Sequence, residues 1–175
     1  YEVFDKRVIP YMTEGFKPTT PSKPDQEMKS ITTRTSIRNK LIGTVKSIKP
    51  RMYQGEVILS LNGGDEIHAV LTLDSIKRLG LTEGRNAHIL IRAPHLILVK
   101  PNCGLKFSAG NYLCGKVTHI LETRLNAEIT LELKGGGQLR AMVPHDAIAD
   151  LGIKEGEPFC GVFKASNVVL ATEEE

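Results

Sequence analysis

Six residues between positions 36 and 93 each carry a hydrogen-bond donor or a positive charge and could therefore bind an anion. They are Ser36, Arg38, Thr72, Ser75, Arg92 and Ala93. The hydroxyl and guanidinium groups are donors, and the alanine contributes a backbone N–H. A fully ionised tetrahedral oxyanion carries only acceptors, whereas phosphate near neutral pH keeps a proton that needs an acceptor. A set made only of donors therefore favours a proton-free oxyanion over phosphate.

Catalytic and metal-binding patterns are absent from the sequence. The five histidines are scattered, and none has metal-ligand spacing with another histidine or with a cysteine. No nucleophile can be assigned together with a base and an acid. We therefore expect no enzyme activity, no organic cofactor and no metal ion held directly by protein side chains.

The chain contains one folding unit twice. A shift of 72 positions without insertion places Leu79-Gly80 on Leu151-Gly152 and Glu83-Gly84 on Glu155-Gly156. Such self-similarity indicates a tandem repeat. The chain therefore divides into three parts: a lead-in with a Pro-rich linker over residues 1–34, a first repeat over 35–100 and a second repeat over 107–172.

Alternating apolar residues predict five short strands in each repeat, with one helical turn between the third and fourth strands. Asn62-Gly63-Gly64-Asp65 predicts a tight hairpin. Asp74, and Asp146 in the second repeat, are expected to cap the helical turns. This order is typical of a small closed oligonucleotide/oligosaccharide-binding (OB) barrel. We predict an all-β fold of two tandem five-stranded OB-like barrels that pack against each other.

Composition favours a soluble protein. The net charge of +3 permits an anionic ligand but does not indicate a nucleic-acid surface. No apolar run reaches the length of a membrane span, and no membrane association is expected. The three cysteines, Cys103, Cys114 and Cys160, form no paired framework, so we expect reduced thiols in a cytoplasmic protein.

Four motifs of the first repeat resemble the Mop domain, the molybdate-binding unit of molbindins. They are Thr35–Val45 (TSIRNKLIGTV), Leu71–Ser75 (LTLDS), Leu79–Gly84 (LGLTEG) and Ile91–Pro94 (IRAP). Two such units after a linker resemble the carboxy-terminal half of molybdate-responsive transcriptional regulators of the ModE type. The resemblance covers about residues 34–172.

The resemblance implies that molybdate or tungstate is the ligand and that the six donors named above contact it. Arg92 departs from the family pattern, which usually has Lys there. In this family the opening motif of one subunit completes the site of its partner, which implies a homodimer with two equivalent sites. DNA would be contacted only through a DNA-binding domain that this chain does not contain. We expect Asn39 to make structural hydrogen bonds rather than to contact the ligand.

The second repeat lacks most of these donors, since Arg38 corresponds to Gly110, Thr72 to Pro144 and Ser75 to Ala147. The full site is therefore expected only in the first repeat. One donor cluster remains in the second repeat, and it could bind an anion at a separate, shallower site: Lys164, Ala165 and Ser166.

Three functions stay open at this point. The chain could be the sensor portion of a transcriptional regulator, a free-standing molbindin for molybdate storage or homeostasis, or an OB-type nucleic-acid-binding protein. The Pro-rich lead-in favours the regulator, because a storage protein needs no tether. Nine aromatic residues and no Trp disfavour nucleic-acid binding, which uses aromatic stacking platforms.

Overall fold

The computed structural model describes residues 37–174. The predicted lead-in and linker and the candidate residue Ser36 lie outside the described residues. The first repeat contains five strands, a short helix and a 3₁₀ turn: β1 (Asn39–Pro50), β2 (Gln54–Ser60), β3 (Glu66–Thr72), α1 (Leu73–Arg78), β4 (Asn86–Ile91), the first 3₁₀ turn (Ala93–His95) and β5 (Ile97–Val99).

The second repeat has the same order of elements, which confirms the predicted all-β architecture. Its elements are β6 (Gly110–Glu122), β7 (Asn126–Glu132), β8 (Gln138–Pro144), α2 (Ala147–Leu151), β9 (Pro158–Lys164), the second 3₁₀ turn (Ala165–Asn167) and β10 (Val169–Ala171). Buried side chains alternate along β1 and β8, as expected for strands with one face against a core.

The two repeats exchange their last strands, so each of the two predicted five-stranded units contains four strands of one repeat and one strand of the other. One sheet has the order β10-β4-β1-β2-β3 and the other the order β5-β9-β6-β7-β8. Leu170 pairs with Ile89, and Leu98 pairs with Gly161. A Cβ at Gly161 would lie 3.1 Å from the Leu96 side chain. The small residue therefore leaves room for the exchanged segment.

A 3₁₀ turn, rather than a strand pair, covers the gap between the end strands of each sheet. The second 3₁₀ turn packs against β3, and the first packs against β8. Among the described residues, the strands at the two ends of each sheet do not pair with each other. The predicted closed barrel is thus closed by side-chain and turn packing, and apolar residues of both repeats form one buried cluster.

Helix α1 begins two residues earlier than the sequence predicted. Thr72 is its N-cap, and the Thr72 side chain accepts a hydrogen bond from the Ser75 N–H. Asp74 lies within the first turn instead. Asp146 precedes α2 but makes no capping hydrogen bond, because its backbone is helical (φ −64°, ψ −23°) rather than extended. The cap predicted at Asp74 is therefore wrong, whereas Asp146 occupies the predicted N-cap position without a capping side-chain hydrogen bond.

The β2–β3 and β7–β8 hairpins touch each other through their glycine-rich turns. A Cβ at Gly135 would lie 1.9 Å from the carbonyl oxygen of Asn62, and a Cβ at Gly63 would lie 2.5 Å from the nitrogen of Gly135. Gly63 also has a positive φ of 89°. These glycines therefore permit a close backbone approach between the repeats in addition to forming turns.

Cys114 and Cys160 form a disulfide between β6 and β9, so the expectation of reduced thiols is wrong for this pair. The two residues face each other in the strand register. They are 46 positions apart, and spacing alone did not reveal the pairing. Cys103 is a free thiol. No helix within residues 37–174 combines the length and apolar character needed to cross a bilayer.

Replacement of Gly135 by Ala should destabilise the fold by about 3 kcal/mol, at the upper end for overpacking, because the obstructing atoms belong to backbone. Gly136→Ala is the matched control, since a Cβ there meets open space and only the positive φ of 85° is strained. This control should cost about 1 kcal/mol. Urea unfolding of both variants measures the difference. Equal losses would contradict the close hairpin contact.

Candidate functional site

Three of the predicted donors lie together at the start of β1. Asn39 pairs with Ile91 in the last residue pair between β1 and β4. Arg38 precedes Asn39 in the chain and Arg92 follows Ile91, so both arginines lie just beyond this pair. Arg92 is exposed, whereas Ala93 is buried at the start of the first 3₁₀ turn. The end of these two strands thus presents two guanidinium groups to solvent.

The Arg38 side chain is held by a carboxylate of the second repeat. Its Nε lies 3.0 Å from Oε2 of Glu128, and its Nη2 lies 3.4 Å from Oε1. Nε of Arg140 is 3.8 Å from the same carboxylate, and Nη1 of Arg140 donates to the carbonyl oxygen of Arg38 at 3.3 Å. Two cations thus share one carboxylate, which leaves a net positive charge at this end of the molecule.

Thr72 and Ser75 lie together at the start of α1. The Thr72 hydroxyl accepts from the Ser75 N–H at 3.1 Å and donates to the Ser75 Oγ at 2.9 Å. Thr72 is therefore a helix cap, yet the pair keeps one hydroxyl proton, on Ser75, that can point to a ligand.

These two groups lie near opposite ends of β1. Thr72 pairs with Gln54, the first residue of β2, and β2 begins beside Pro50 at the far end of β1. Arg38 precedes the first residue of β1. The 12 residues of this strand have a contour length of roughly 40 Å at about 3.3 Å per residue. The strand register therefore separates the Arg38 group from the Thr72 group within one chain.

The donor cluster of the second repeat is poorer than the sequence suggested. The Ala165 N–H donates to the carbonyl oxygen of Ala109 at 2.9 Å, so this amide is already used. Lys164 pairs with Gly110, and the second 3₁₀ turn, which contains Ser166, packs against β3. The cluster thus lies beside β3, the strand of the first repeat that ends at Thr72.

Two buried asparagines join the repeats, and the structural role expected for Asn39 is confirmed. The Asn39 amide donates to the carbonyl oxygen of Arg140 at 2.7 Å and accepts from the Arg140 N–H. Asn111 makes the equivalent pair with the backbone of His68, at 2.8 Å in both directions. Each asparagine therefore binds an edge strand of the other repeat.

Sequence reasoning missed the contribution of Glu128 and Arg140. The repeat offset gave a partial signal, because Glu128 corresponds to Glu56 and both repeats carry an acidic residue there. The contact itself spans 90 positions, and no periodic pattern predicts it.

Carboxylate–imidazole contacts occur elsewhere, between Glu56 and His68 at 2.6 Å and between Glu122 and His145 at 3.2 Å. Within residues 37–174, no three His, Cys, Asp or Glu side chains cluster as a metal site requires.

On the exposed surface, the hydrogen bond and charge of Lys46 lower the pKa of the Glu66 carboxyl.

The sequence model of the TOBE domain family matches residues 35–98 and 108–170 of this chain. The chain belongs to the TOBE domain family. The matched ranges place one TOBE domain in each repeat, and the exchanged strands β5 and β10 both lie at the end of a match.

Curated relatives of the TOBE pair carry molybdenum-related names. The molybdenum transport protein ModE of Azotobacter vinelandii is 34% identical over 145 residues, which cover 82% of this chain and 53% of the relative. The molybdenum-pterin-binding protein MopA of Rhodobacter capsulatus is 34% identical over 153 residues, which cover 87% and 58%. The DNA-binding transcriptional dual regulator ModE of Escherichia coli K12 is 30% identical over 140 residues, which cover 79% and 52%. The chain spans between half and three fifths of these relatives.

A solved structure has a similar arrangement of the TOBE pair. The cytoplasmic molybdate-binding protein ModG, crystallised with molybdate bound, has a TM-score of 0.77 and 39% sequence identity. The match covers 81% of this chain and 100% of that one. At this level of identity, the likeness extends beyond fold alone.

Replacement of Asn39 by Ala should lower the free energy of unfolding of the TOBE pair by about 2–3 kcal/mol. The change removes two hydrogen bonds and leaves the buried N–H and C=O of Arg140 unpaired. Asn86→Ala is the matched control, because Asn86 bonds only the exposed Thr44 hydroxyl and should cost less than about 1 kcal/mol. Chemical denaturation measures both values. A loss for Asn39→Ala no larger than the control's would contradict the inter-repeat role of this amide.

Proposed function

We propose that the chain is the molybdate- or tungstate-binding sensor portion of a molybdate-dependent transcriptional regulator, with each oxyanion bound where two copies meet. The separation of the two donor groups along β1 carries this proposal. In a twofold homodimer, the Arg38 end of one copy can meet the Thr72 end of the other. Two equivalent sites result, because the relation is reciprocal.

The donor chemistry supports a dianion without protons. Arg38 and Arg92 supply positive charge, and Ser75 supplies a hydroxyl whose proton is not used within the helix cap. Ser36 and the Ala93 amide join this set on the resemblance to the Mop domain. The Glu128 carboxylate is occupied by two guanidinium groups, so it offers little to the protonated oxygen of phosphate.

The magnitudes are sufficient for tight binding. Hydrogen bonds to charged groups contribute roughly 1.5–3 kcal/mol each, so about six would give on the order of 9–18 kcal/mol before costs. Association costs at least ~4 kcal/mol. At most about 5–14 kcal/mol remain, and this range includes the roughly 8 kcal/mol that corresponds to a micromolar dissociation constant.

The ligand assignment also draws on the relatives. The matched structure is that of a molybdate-binding protein with molybdate bound, and that protein is cytoplasmic by its description. We extend both the ligand and the cytoplasmic location to this chain. Tungstate has the same charge and tetrahedral shape as molybdate, so it should bind in the same way.

Only the first repeat should contribute a full set of donors. Gly110 stands in place of Arg38, Pro144 in place of Thr72 and Ala147 in place of Ser75. We infer that the second repeat acts as a support for the first. Its residues hold the Arg38 side chain and complete the sheet of the first repeat.

A second candidate is a free-standing molybdate-binding protein for storage or homeostasis. One observation favours it: the whole of the matched ModG chain is covered by the TOBE pair alone. The regulator is favoured by the ModE relatives, one of which is described as a DNA-binding transcriptional regulator about twice as long as the matched segment. In both cases the chain binds an oxyanion and has no catalytic role.

Replacement of Arg38 by Ala should weaken molybdate binding about 100-fold, because a charged donor worth up to about 3 kcal/mol is lost. Isothermal titration calorimetry with molybdate, tungstate and sulfate measures this. Arg124→Ala is the matched control, since it removes the same charge from an exposed turn of the second repeat. Analytical ultracentrifugation of the same samples should show a dimer.

Two results would contradict the proposed site. The first is an unchanged molybdate affinity in Arg38→Ala together with a reduced molybdate affinity in Arg124→Ala. This result would place the oxyanion in the second repeat. The second is tight binding of molybdate by a monomer, which would rule out a site shared between two copies.

The 175-residue chain should not shift promoter DNA, with or without molybdate. The helices within residues 37–174 have six and five residues, whereas a helix-turn-helix places a longer recognition helix in the major groove. An electrophoretic mobility assay on the promoter of a molybdate-regulated gene tests this, with a full-length ModE regulator as the positive control. Retardation by the chain alone would contradict the assignment of DNA binding to another domain.

A further inference from the structure

We propose that Glu128 is a positioning residue for oxyanion binding, because it fixes the Arg38 guanidinium from the side and leaves its outer N–H groups directed at the ligand. The inference rests on the proposed function and deepens it. It assigns a role in the binding site of the first repeat to a residue of the second repeat.

The contact between the two side chains is bidentate. Nε and Nη2 of Arg38 face the two carboxylate oxygens of Glu128, at 3.0 and 3.4 Å. Nη1 of Arg38 makes no hydrogen bond to another residue in the described range, and the Arg38 side chain is 57% exposed. A side-on carboxylate thus orients the fork and keeps its outer edge open to an incoming anion.

Glu128 is itself held in place. Its side chain is only 13% exposed, and Nε of Arg140 lies 3.8 Å from Oε1. Nη2 of Arg140 donates to the Gln138 side chain at 3.1 Å, and Nη1 donates to the Arg38 carbonyl oxygen. Both the backbone and the side chain of Arg38 are therefore fixed by one polar network on β7 and β8.

The position in the first repeat that corresponds to Glu128 supports this role of the network. Glu56 corresponds to Glu128, but it contacts His68 at 2.6 Å, and Gly110 stands where an arginine would be. The carboxylate is thus present in both repeats, while only Glu128 has an opening-motif guanidinium to orient. The guanidinium that is oriented in this way belongs to Arg38 of the first repeat, and the first repeat is also the one that keeps the other donors.

Charge and positioning predict opposite results when Glu128 is neutralised. If Glu128 acted only through its negative charge, its removal would strengthen the binding of a dianion, because a repulsive charge is lost. If Glu128 acts by orienting Arg38, its removal frees a long side chain that must be ordered again on binding. The affinity then falls.

The test is calorimetry with sodium molybdate on the 175-residue chain and its Glu128→Gln variant. We expect Glu128→Gln to raise the dissociation constant about tenfold, as for outer partners that orient ligand-binding side chains. Glu132→Gln is the matched control, since it removes the same charge from an exposed position on the same strand, and it should change affinity less than about twofold. Binding by Glu128→Gln as tight as, or tighter than, that of the unmodified chain would overturn the inference.

Two further variants separate positioning from a general structural role. Glu128→Asp keeps the charge but shortens the reach, so it should also weaken binding, and it replaces Glu128→Gln if that variant fails to fold. In an Arg38→Lys background, Glu128→Gln should no longer weaken binding, because Lys has no fork to orient. Weakening of equal size in both backgrounds would overturn the inference. No binding of molybdate by the unmodified chain would instead overturn the proposed function, and this inference with it.

Discussion

The exchange of the last strands is the constraint on which the rest of the structure depends. β5 completes the sheet of the second repeat, and β10 completes the sheet of the first, so each five-stranded sheet contains strands of both repeats. A unit of about 65 residues buries a smaller fraction of its surface than a larger domain does and is marginally stable by itself. The exchange joins two such units into one apolar cluster, and the buried amides of Asn39 and Asn111 close the remaining edges.

The same exchange determines where the functional residues lie. The chain must cross from β4 to the second repeat to form β5, and the first 3₁₀ turn makes this crossing over β8. Arg92 and Ala93 are therefore carried to the neighbouring repeat, next to the residues that hold Arg38. The second repeat has Gly110, Pro144 and Ala147 at the positions of Arg38, Thr72 and Ser75, yet its Glu128 and Arg140 contact Arg38. Under the proposed function, a repeat without its own donors can still support the neighbouring repeat through these contacts.

The sequence predicted local structure well and long-range partners poorly. Alternation identified the strands, and Asn62–Asp65 identified a hairpin, because both signals depend on neighbouring residues. The helix start was placed at Asp74 instead of Thr72, since a threonine that ends a strand also satisfies the first free N–H of a helix. The strand exchange and the disulfide could not be predicted. A three-residue apolar strand such as β5 fits either sheet equally well, and the Cys114–Cys160 pairing follows only from the register of β6 and β9.

For the candidate site, the sequence named the donors, and its resemblance to the Mop domain implied that two subunits supply them. Arg38 and Thr72 were expected to contact the same ligand, whereas within one chain they lie near opposite ends of β1. Under the proposed function this separation has a thermodynamic consequence. An oxyanion that binds only where two copies meet stabilises the dimer by linkage, by about 2.7 kcal/mol when free ligand is 100 times the dissociation constant. Because Glu128 ties Arg38 to the second repeat, that free energy acts on both repeats of one copy and on the first repeat of its partner. A differential stabilisation of this kind is what a ligand needs to favour one arrangement of attached domains over another.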